Sequence, residues 1–525
     1  MTIRSTSPVT GRRRRRATAP LALALAAALV LSACGGSSSD ATDSGSGTGD
    51  PVYGGVLRNS LIDPGTAIDP VVVASPGGVG VVDTVTEKLV KVNEDYEATP
   101  VLATKWAVSD DNLTWKVTIR EGVKFNNGAT LTPADVVATY ERILADDSTS
   151  PAKGSLAGVL TKVEADGQDV DFTLAKPFSD FPFLLAGNNT QILPADYQLG
   201  TWQDSYIGTG PFVVKTFQAG QSVTFEKNPT YWNKDEIYLD GIQTKFYKDQ
   251  QSRVLAFQSG ELDGLYGEPV AASLTSALNE SDYRVESIPA GGFSAFVMRV
   301  DQAPFTDVKV RQAIAWALDR KAISTTIYGE QADIGNDTIY GPTFGVRPDG
   351  LEQRSPDADK VTQLLGDKKV AFTITTDSVD ESYALLIQQQ LRKYPNFDVK
   401  VDVLSTAEYY AEGANTPWLS ADATITYWAA RPSPSQFNNF LYRTGAEWNA
   451  SHYSSPELDT LSDEYDATTD PAERQKIVDQ IGQIQYTDVP VIITTFGNTR
   501  RYLSKKLHLG IFPGGADYTG AWLDK

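Results

Sequence analysis

From Leu113 to Ile119 the chain alternates, with Leu113, Trp115, Val117 and Ile119 on one side and Thr114, Lys116 and Thr118 on the other. That two-residue period is the pattern of a strand with one buried face. Asn126-Asn127-Gly128 then breaks the chain in a turn, because Asn and Gly tolerate the positive φ such turns need. Thr132, Pro133 and Asp135 read as a helix start: a capping hydroxyl, a proline whose missing N–H costs nothing at the first helical position, and a carboxylate on the positive helix end. Val136, Val137, Tyr140, Ile143 and Leu144 give that helix an apolar stripe. Strand and helix patterns in such close succession recur down the rest of the chain.

The start of the chain reads differently. Arg12 to Arg16 is a basic block, Leu21 to Leu31 is an apolar run, and Leu31-Ser32-Ala33-Cys34 ends it in small residues and a cysteine. The run is too short to span a bilayer, which needs about 20 residues, but it has the zones of a signal peptide over residues 1–33. Its ending resembles a bacterial lipobox. That resemblance implies a diacylglyceryl group on the Cys34 thiol, cleavage before Cys34, and a protein held on the extracytoplasmic face of the cell membrane. An ordinary signal peptide with an incidental cysteine is the competing reading. Gly35 to Asp50 is almost all Gly, Ser, Thr and Asp, too poor in apolar surface to fold, so residues 34–52 read as a disordered tether. Arg15-Arg16 leads into Ala-Thr-Ala-Pro rather than a bulky apolar pair, which favours the general secretory route over twin-arginine export.

Cys34 is the only cysteine, so the mature chain forms no internal disulfide and no thiolate metal cluster. Core burial alone must hold it, and its length suits about three domains at ~150 residues each. Six arginines and no acid precede Cys34, so cleavage takes the net charge from −20 to −26. Such a surface repels nucleic acid and anionic headgroups.

Further along, Gly54-Gly55-Val56-Leu57-Arg58 reads as an entering strand and Ile68-Asp69-Pro70 as a turn, followed by a Val- and Gly-rich loop from Val71 to Gly80 and a helix through Val82, Val85 and Leu89. Asp169 to Leu174 reads as a strand and Phe178 to Leu185 as an aromatic-rich helix. Ile207-Gly208-Thr209-Gly210-Pro211-Phe212 lacks the Gly-Lys-Ser/Thr that a phosphate loop requires, so nucleotide binding is a poor reading. Asn228-Pro229-Thr230-Tyr231-Trp232 and the helix Arg253 to Asp263 come next. Phe293 to Val300 is an expected strand. Pro304 to Ile314 enters a helix that Asp319-Arg320 is expected to close. Glu381 to Lys393, Pro456 to Leu461 and Asp470 to Tyr486 are expected helices; Phe397 to Leu404, Ala423 to Tyr427 and Val489 to Phe496 are expected strands.

The wording PVLATKWAVSDDNLTWKVTIREGVKFNNGATLTPADVV, with the motifs just quoted in their order, closely resembles the extracytoplasmic solute-binding proteins of family 5, which include oligopeptide, dipeptide and nickel receptors of ABC importers. The match runs over roughly residues 54 to 505 and is silent about the ligand. It implies an α/β periplasmic-binding-protein-like fold of the class II, cluster C type, with two lobes, a hinge and an extra domain on the first lobe. The implied division is 53–92 for lobe 1, 93–205 for the extra domain, 206–291 for lobe 1 again, 292–487 for lobe 2 and 488–525 for the return to lobe 1. It also implies a monomer that closes on a small-molecule or short-peptide solute and presents it to an ABC permease and ATPase, with no cofactor.

The departure from the family is informative. Trp428-Ala429-Ala430-Arg431-Pro432-Ser433-Pro434 stands where the family text resembles W-x-x-D-x-D-P, whose first aspartate pairs with a peptide's amino terminus. Arg431 stands in that aspartate's place. A guanidinium cannot hold an ammonium group but suits carboxylate or phosphate; pairing with a structural acid is the alternative. The candidate ligand contacts are Trp428 as a cleft wall, Arg431 and Ala429 beside it, Tyr427 on the opposite strand face, Trp448 and Asn449 on a rim, and Val73 and Ser75 in the Val71 to Gly80 loop, which borders the ligand in the family unless Gly77, Gly78 and Gly80 are merely flexible. Catalysis has little to build on: there are two histidines, His452 and His508, no usable cysteine and no Gly-x-Ser-x-Gly elbow. No metal site is expected, since His452 alone is a weak basis for a metal chelate. A secreted peptide or glycoside hydrolase working through paired carboxylates, and a ligand sensor, are the competing functions.

Overall fold

The computed structural model describes residues 50–525 apart from 66–67, 268–269, 271, 277, 330, 412–415 and 513–514. The expectations for Cys34, the signal peptide and most of the tether lie outside the described residues.

Two mixed sheets organise the molecule. The first has the order Val56–Ile62, Gly241–Tyr247, Ser222–Lys227, Phe212–Gln218. Val56–Ile62 runs parallel to Gly241–Tyr247, which brings together the two distant stretches expected to share the first lobe. The second sheet is five-stranded, in the order Phe397–Leu404, Val370–Asp377, Ala423–Trp428, Phe293–Met298, Val491–Ile493. Every residue of Phe293–Met298 is buried. Phe293, Ala295 and Val297 enter one apolar cluster with Phe437, Tyr465 and Ile481, while Phe296 and Met298 enter another with Ile314, Ile374 and Ile387. A strand covered on both faces loses the polar alternation and reads as a continuous apolar run.

A third, antiparallel sheet carries the alternating segment Leu113 to Ile119, in the order Ala103–Val108, Thr114–Ile119, Asp169–Leu174, Leu160–Asp166. Trp115, Val117 and Ile119 face inward as their alternation requires. Helix Pro133–Leu144 packs on strands Leu160–Asp166 and Asp169–Leu174 of this sheet, with Asp135 accepting the Thr132 N–H at 2.7 Å and Tyr140 edge-on to Phe172 at 5.0 Å. The apolar residues of this sheet and of the first lobe's sheet belong to one continuous core.

The chain crosses between the two main bodies along a pair of strands. Tyr283–Pro289 pairs antiparallel with Thr495–Ser504, and Ala290 N donates to Gly497 O while Gly497 N donates to Gly292 O, both at 2.9 Å. Gly291 sits there at φ +71, and a Cβ would lie 2.7 Å from Thr343 Oγ1, so the crossover needs a glycine. The expected strand Val489 to Phe496 is divided at this point: Val491–Ile493 stays in the second sheet and Thr495–Ser504 joins the other body.

Three expectations are corrected. The Val71 to Gly80 loop is helical in its second half, Pro76–Val85, with Ser75 as its cap accepting from Gly78 N at 3.3 Å. Gly77 is there because a Cβ would meet Ile62 O at 2.0 Å; its absence lets the helix lie on the strand. Asp319-Arg320 does not close helix Val308–Ala317. Asp319 caps the next helix, Arg320–Tyr328, by accepting from Ala322 N at 2.9 Å. The aromatic helix expected over Phe178 to Leu185 shrinks to one turn, Phe181–Leu184.

Candidate functional site

A cavity of about 490 Å³ lies where the two bodies meet. One wall follows helix Pro76–Val85 and includes Asp83, Glu87 and Lys91; Tyr231, Trp232 and Asp517 stand beside them. Phe183, in the turn Phe181–Leu184, and Asn188, just past it, add a second side. Thr343 and Ala430-Arg431-Pro432, the latter leaving the end of strand Ala423–Trp428, supply the side that comes from the other body. A site of this size, mostly apolar with a few convergent polar groups, has the form of a small-molecule pocket.

Most charged groups of the wall are matched. Lys91 Nζ lies 2.5 Å from Asp517 Oδ2, and Lys88 Nζ lies 3.6 Å from Asp83 Oδ1. Glu87 accepts from Tyr231 Oη at 2.8 Å and from Trp232 Nε1 at 3.1 Å, while the Arg120 guanidinium lies 3.9 Å over the Trp232 ring. Arg431 is different. Among the described residues no carboxylate pairs with it; its Nε is buried without a hydrogen-bond partner, and its guanidinium stands 5.5 Å from the Phe440 ring. Burial depresses its pKa from the usual arginine value, with no acid to oppose the shift. The structural ion pair considered from sequence is therefore not formed.

The remaining sequence candidates are spread over several places. Ala429 is exposed next to cavity-lining Ala430. Trp428 does not line this cavity: it is 5% exposed and packs among Phe437, Phe440 and Trp448. Tyr427 takes the opposite face, 56% exposed, with its hydroxyl over Gly292, where a Cβ would approach it to 2.5 Å. Trp448 is part-exposed and stacks in the same aromatic group as Trp428. Asn449 is buried and spends its amide on Arg443 O at 3.1 Å and Tyr453 O at 2.9 Å. Val73 is core, and Ser75 serves as the helix cap described above. His452 Nδ1 lies 3.4 Å from Asp301 Oδ2. The sequence alone does not mark Glu87 or Trp232 as site residues. Tyr231-Trp232 was conspicuous as a motif, but nothing local marks Glu87, whose partners lie more than a hundred residues away.

Burial pushes the Glu87 carboxyl from 4.5 up to about 7, against the hydrogen bonds from Tyr231 and Trp232 and the charge of Arg120. The folded chain thus keeps this proton after the unfolded chain has released it. The group lowers stability progressively from about pH 4.5 to about pH 7, and the loss is constant above that. Glu87→Gln is expected to flatten this part of the melting-temperature profile and to raise the melting temperature above pH 7 relative to the native chain. Parallel profiles for the two proteins would show a carboxyl in water.

The model of a family described as bacterial extracellular solute-binding proteins, family 5 Middle, matches residues 97–450. The dipeptide-binding protein DppE of Bacillus subtilis is 26% identical over 490 residues, covering 84% of this chain and 87% of that protein. The oligopeptide-binding protein AppA of the same organism is 27% identical over 492 residues, covering 87% and 89%. Among solved structures, HbpA2 from Haemophilus parasuis superposes with a TM-score of 0.81 at 20% identity, covering 90% of this chain and all of that one. That last likeness is one of fold: two lobes of mixed α/β build.

Proposed function

This chain belongs to the bacterial extracellular solute-binding proteins, family 5, and on that premise we propose that it is the receptor of an ABC importer for a small organic solute or short peptide carrying an anionic group. Members of the family are the binding proteins of transporters. In this reading the solute enters the cavity between the lobes, its anionic group meets Arg431, and the loaded form is handed to a membrane permease driven by an ATPase. Binding energy is used to bias the arrangement of the lobes about the crossover strands. The receptor acts as a monomer tied to the membrane by lipid on Cys34, with the division of residues 53–525 into lobes and extra domain given above. The hydrolase and sensor readings gain no specific observation from the geometry.

The observation that carries the proposal is that, among the described residues, no acid pairs with Arg431 in a cavity whose other cations are matched. A guanidinium left in this state costs desolvation until a ligand oxygen approaches it. The test is a thermal-shift screen of the protein against short peptides, amine-blocked peptides and organic acids, with hits titrated at low and high salt. Anionic hits whose affinity weakens with salt are expected. An uncharged or purely cationic solute that binds tightly and independently of salt would overturn the anionic assignment, and turnover of the bound solute would overturn the transport reading itself.

A further inference from the structure

Away from the charges that face the cavity, one buried ionic group joins the two bodies. Ser179 and Asp180 belong to the side that shares a core with the first lobe: their neighbours Phe178 and Phe181 lie in that cluster. Arg474 stands on helix Pro471–Asp488, whose apolar face packs with Phe437 and Tyr465 in the other body. Between them Arg474 Nη2 donates to Asp180 Oδ1 at 2.5 Å and Nη1 donates to Ser179 Oγ at 2.7 Å. Ser433 Oγ donates to Asp180 Oδ2 at 2.5 Å. The backbone joins in, with Ser179 N donating to Asp466 O at 2.8 Å. The Arg474 guanidinium also lies 4.1 Å from the Tyr465 ring centroid. Asp180 is 4% exposed and the Arg474 side chain 14%, so neither charge is solvated as long as the contact holds.

The position of this group in the chain ties it to the pocket. Asp180 directly precedes the turn that carries Phe183 into the cavity, and Ser433 is two residues after Arg431. We infer that Asp180, Arg474 and Ser433 form a clasp between the lobes, which holds the Arg431 loop against the Phe183 wall and so sets the fraction of molecules in which the cavity is assembled. They are positioning residues, since none of them needs to touch solute. The physical reason is the cost asymmetry of buried charge: a carboxylate and a guanidinium satisfied by each other and by two hydroxyls are tolerated, whereas either one alone forces water in and the surfaces apart. A receptor whose competent arrangement is only partly populated has its apparent affinity lowered by that fraction, so loosening the clasp weakens binding of any solute. The inference does not depend on which solute Arg431 selects.

The experiment reads the ligand-free protein by hydrogen exchange and small-angle X-ray scattering. In Asp180→Asn and in Arg474→Met, the Ser179 amide, held by Asp466 O in the clasped form, is expected to exchange about 10- to 100-fold faster. Amides within strand Val370–Asp377 should keep their native rates, and the radius of gyration should rise. The double variant should be no more open than either single one, because both remove the same contact. Native protection at Ser179 with a lowered melting temperature would overturn the clasp in favour of plain stabilisation, and so would acceleration spread evenly over all amides. Should a single variant fail to fold, Ser433→Ala removes one hydroxyl and no charge; it is expected to accelerate Ser179 several-fold, and unchanged exchange there would overturn the clasp.

Discussion

Arg431→Asp should lose affinity for the transported solute by about 2–5 kcal/mol, the usual cost of removing one partner of a desolvated charge pair. On the scale of tenfold per 1.4 kcal/mol that is roughly 30-fold to several thousand-fold, measured by calorimetric titration with an anionic hit from the screen. The melting temperature should stay close to native, because among the described residues no acid pairs with this guanidinium and its aromatic neighbour, Phe440, lies 5.5 Å away. Arg431→Gln separates charge from shape: it keeps hydrogen-bonding atoms near the same place, and its affinity should fall between the two. Native affinity in both variants, or a large drop in melting temperature with affinity preserved, would assign Arg431 to the scaffold and remove the reason for an anionic solute.

What could be read beforehand follows the range of the interactions involved. The cap at Thr132, the alternation from Trp115 to Ile119 and the opposed faces of Tyr427 and Trp428 depend on residues a few places apart, and they appear where the local pattern puts them. Ser75-Pro76 carried an equally local helix signal, but the glycines after it favoured a loop. Gly77 is there because Ile62 comes so near the helix, and that approach is a tertiary fact. Arg431 was visible because it breaks a motif. That no described acid pairs with it was not, since pairing depends on which distant residues the fold brings near. The clasp is less legible still: Asp180 and Arg474 are 294 residues apart, and each sits in an unremarkable local context. Glu87 shows the same limit, for only the fold brings Tyr231 and Trp232 to it.

Trp428 decides which face of the second sheet serves the ligand, a question that periodicity cannot answer when both faces are buried. The side chain lies in the core beneath the Arg431 loop, with Phe437, Phe440 and Trp448 at ring-centroid distances of 6.1 to 6.4 Å. Trp428→Ala is therefore expected to cost about 3–5 kcal/mol of stability, the range for emptying a large aromatic site in a packed interior. The measurement is denaturant unfolding followed through the second lobe. Affinity should change less than stability, through a slackened Arg431 loop and not through a lost contact with solute. Trp428→Phe sharpens the test: among the described residues the indole N–H has no hydrogen-bond partner, so phenylalanine forfeits ring area but no bond, and its stability cost should be well below that of alanine. If Trp428→Ala instead leaves unfolding near native and weakens binding by about 1–3 kcal/mol, the behaviour of an exposed anchor, then Trp428 turns toward the solute when the lobes close, and the cavity that receives the ligand extends beneath the Arg431 loop.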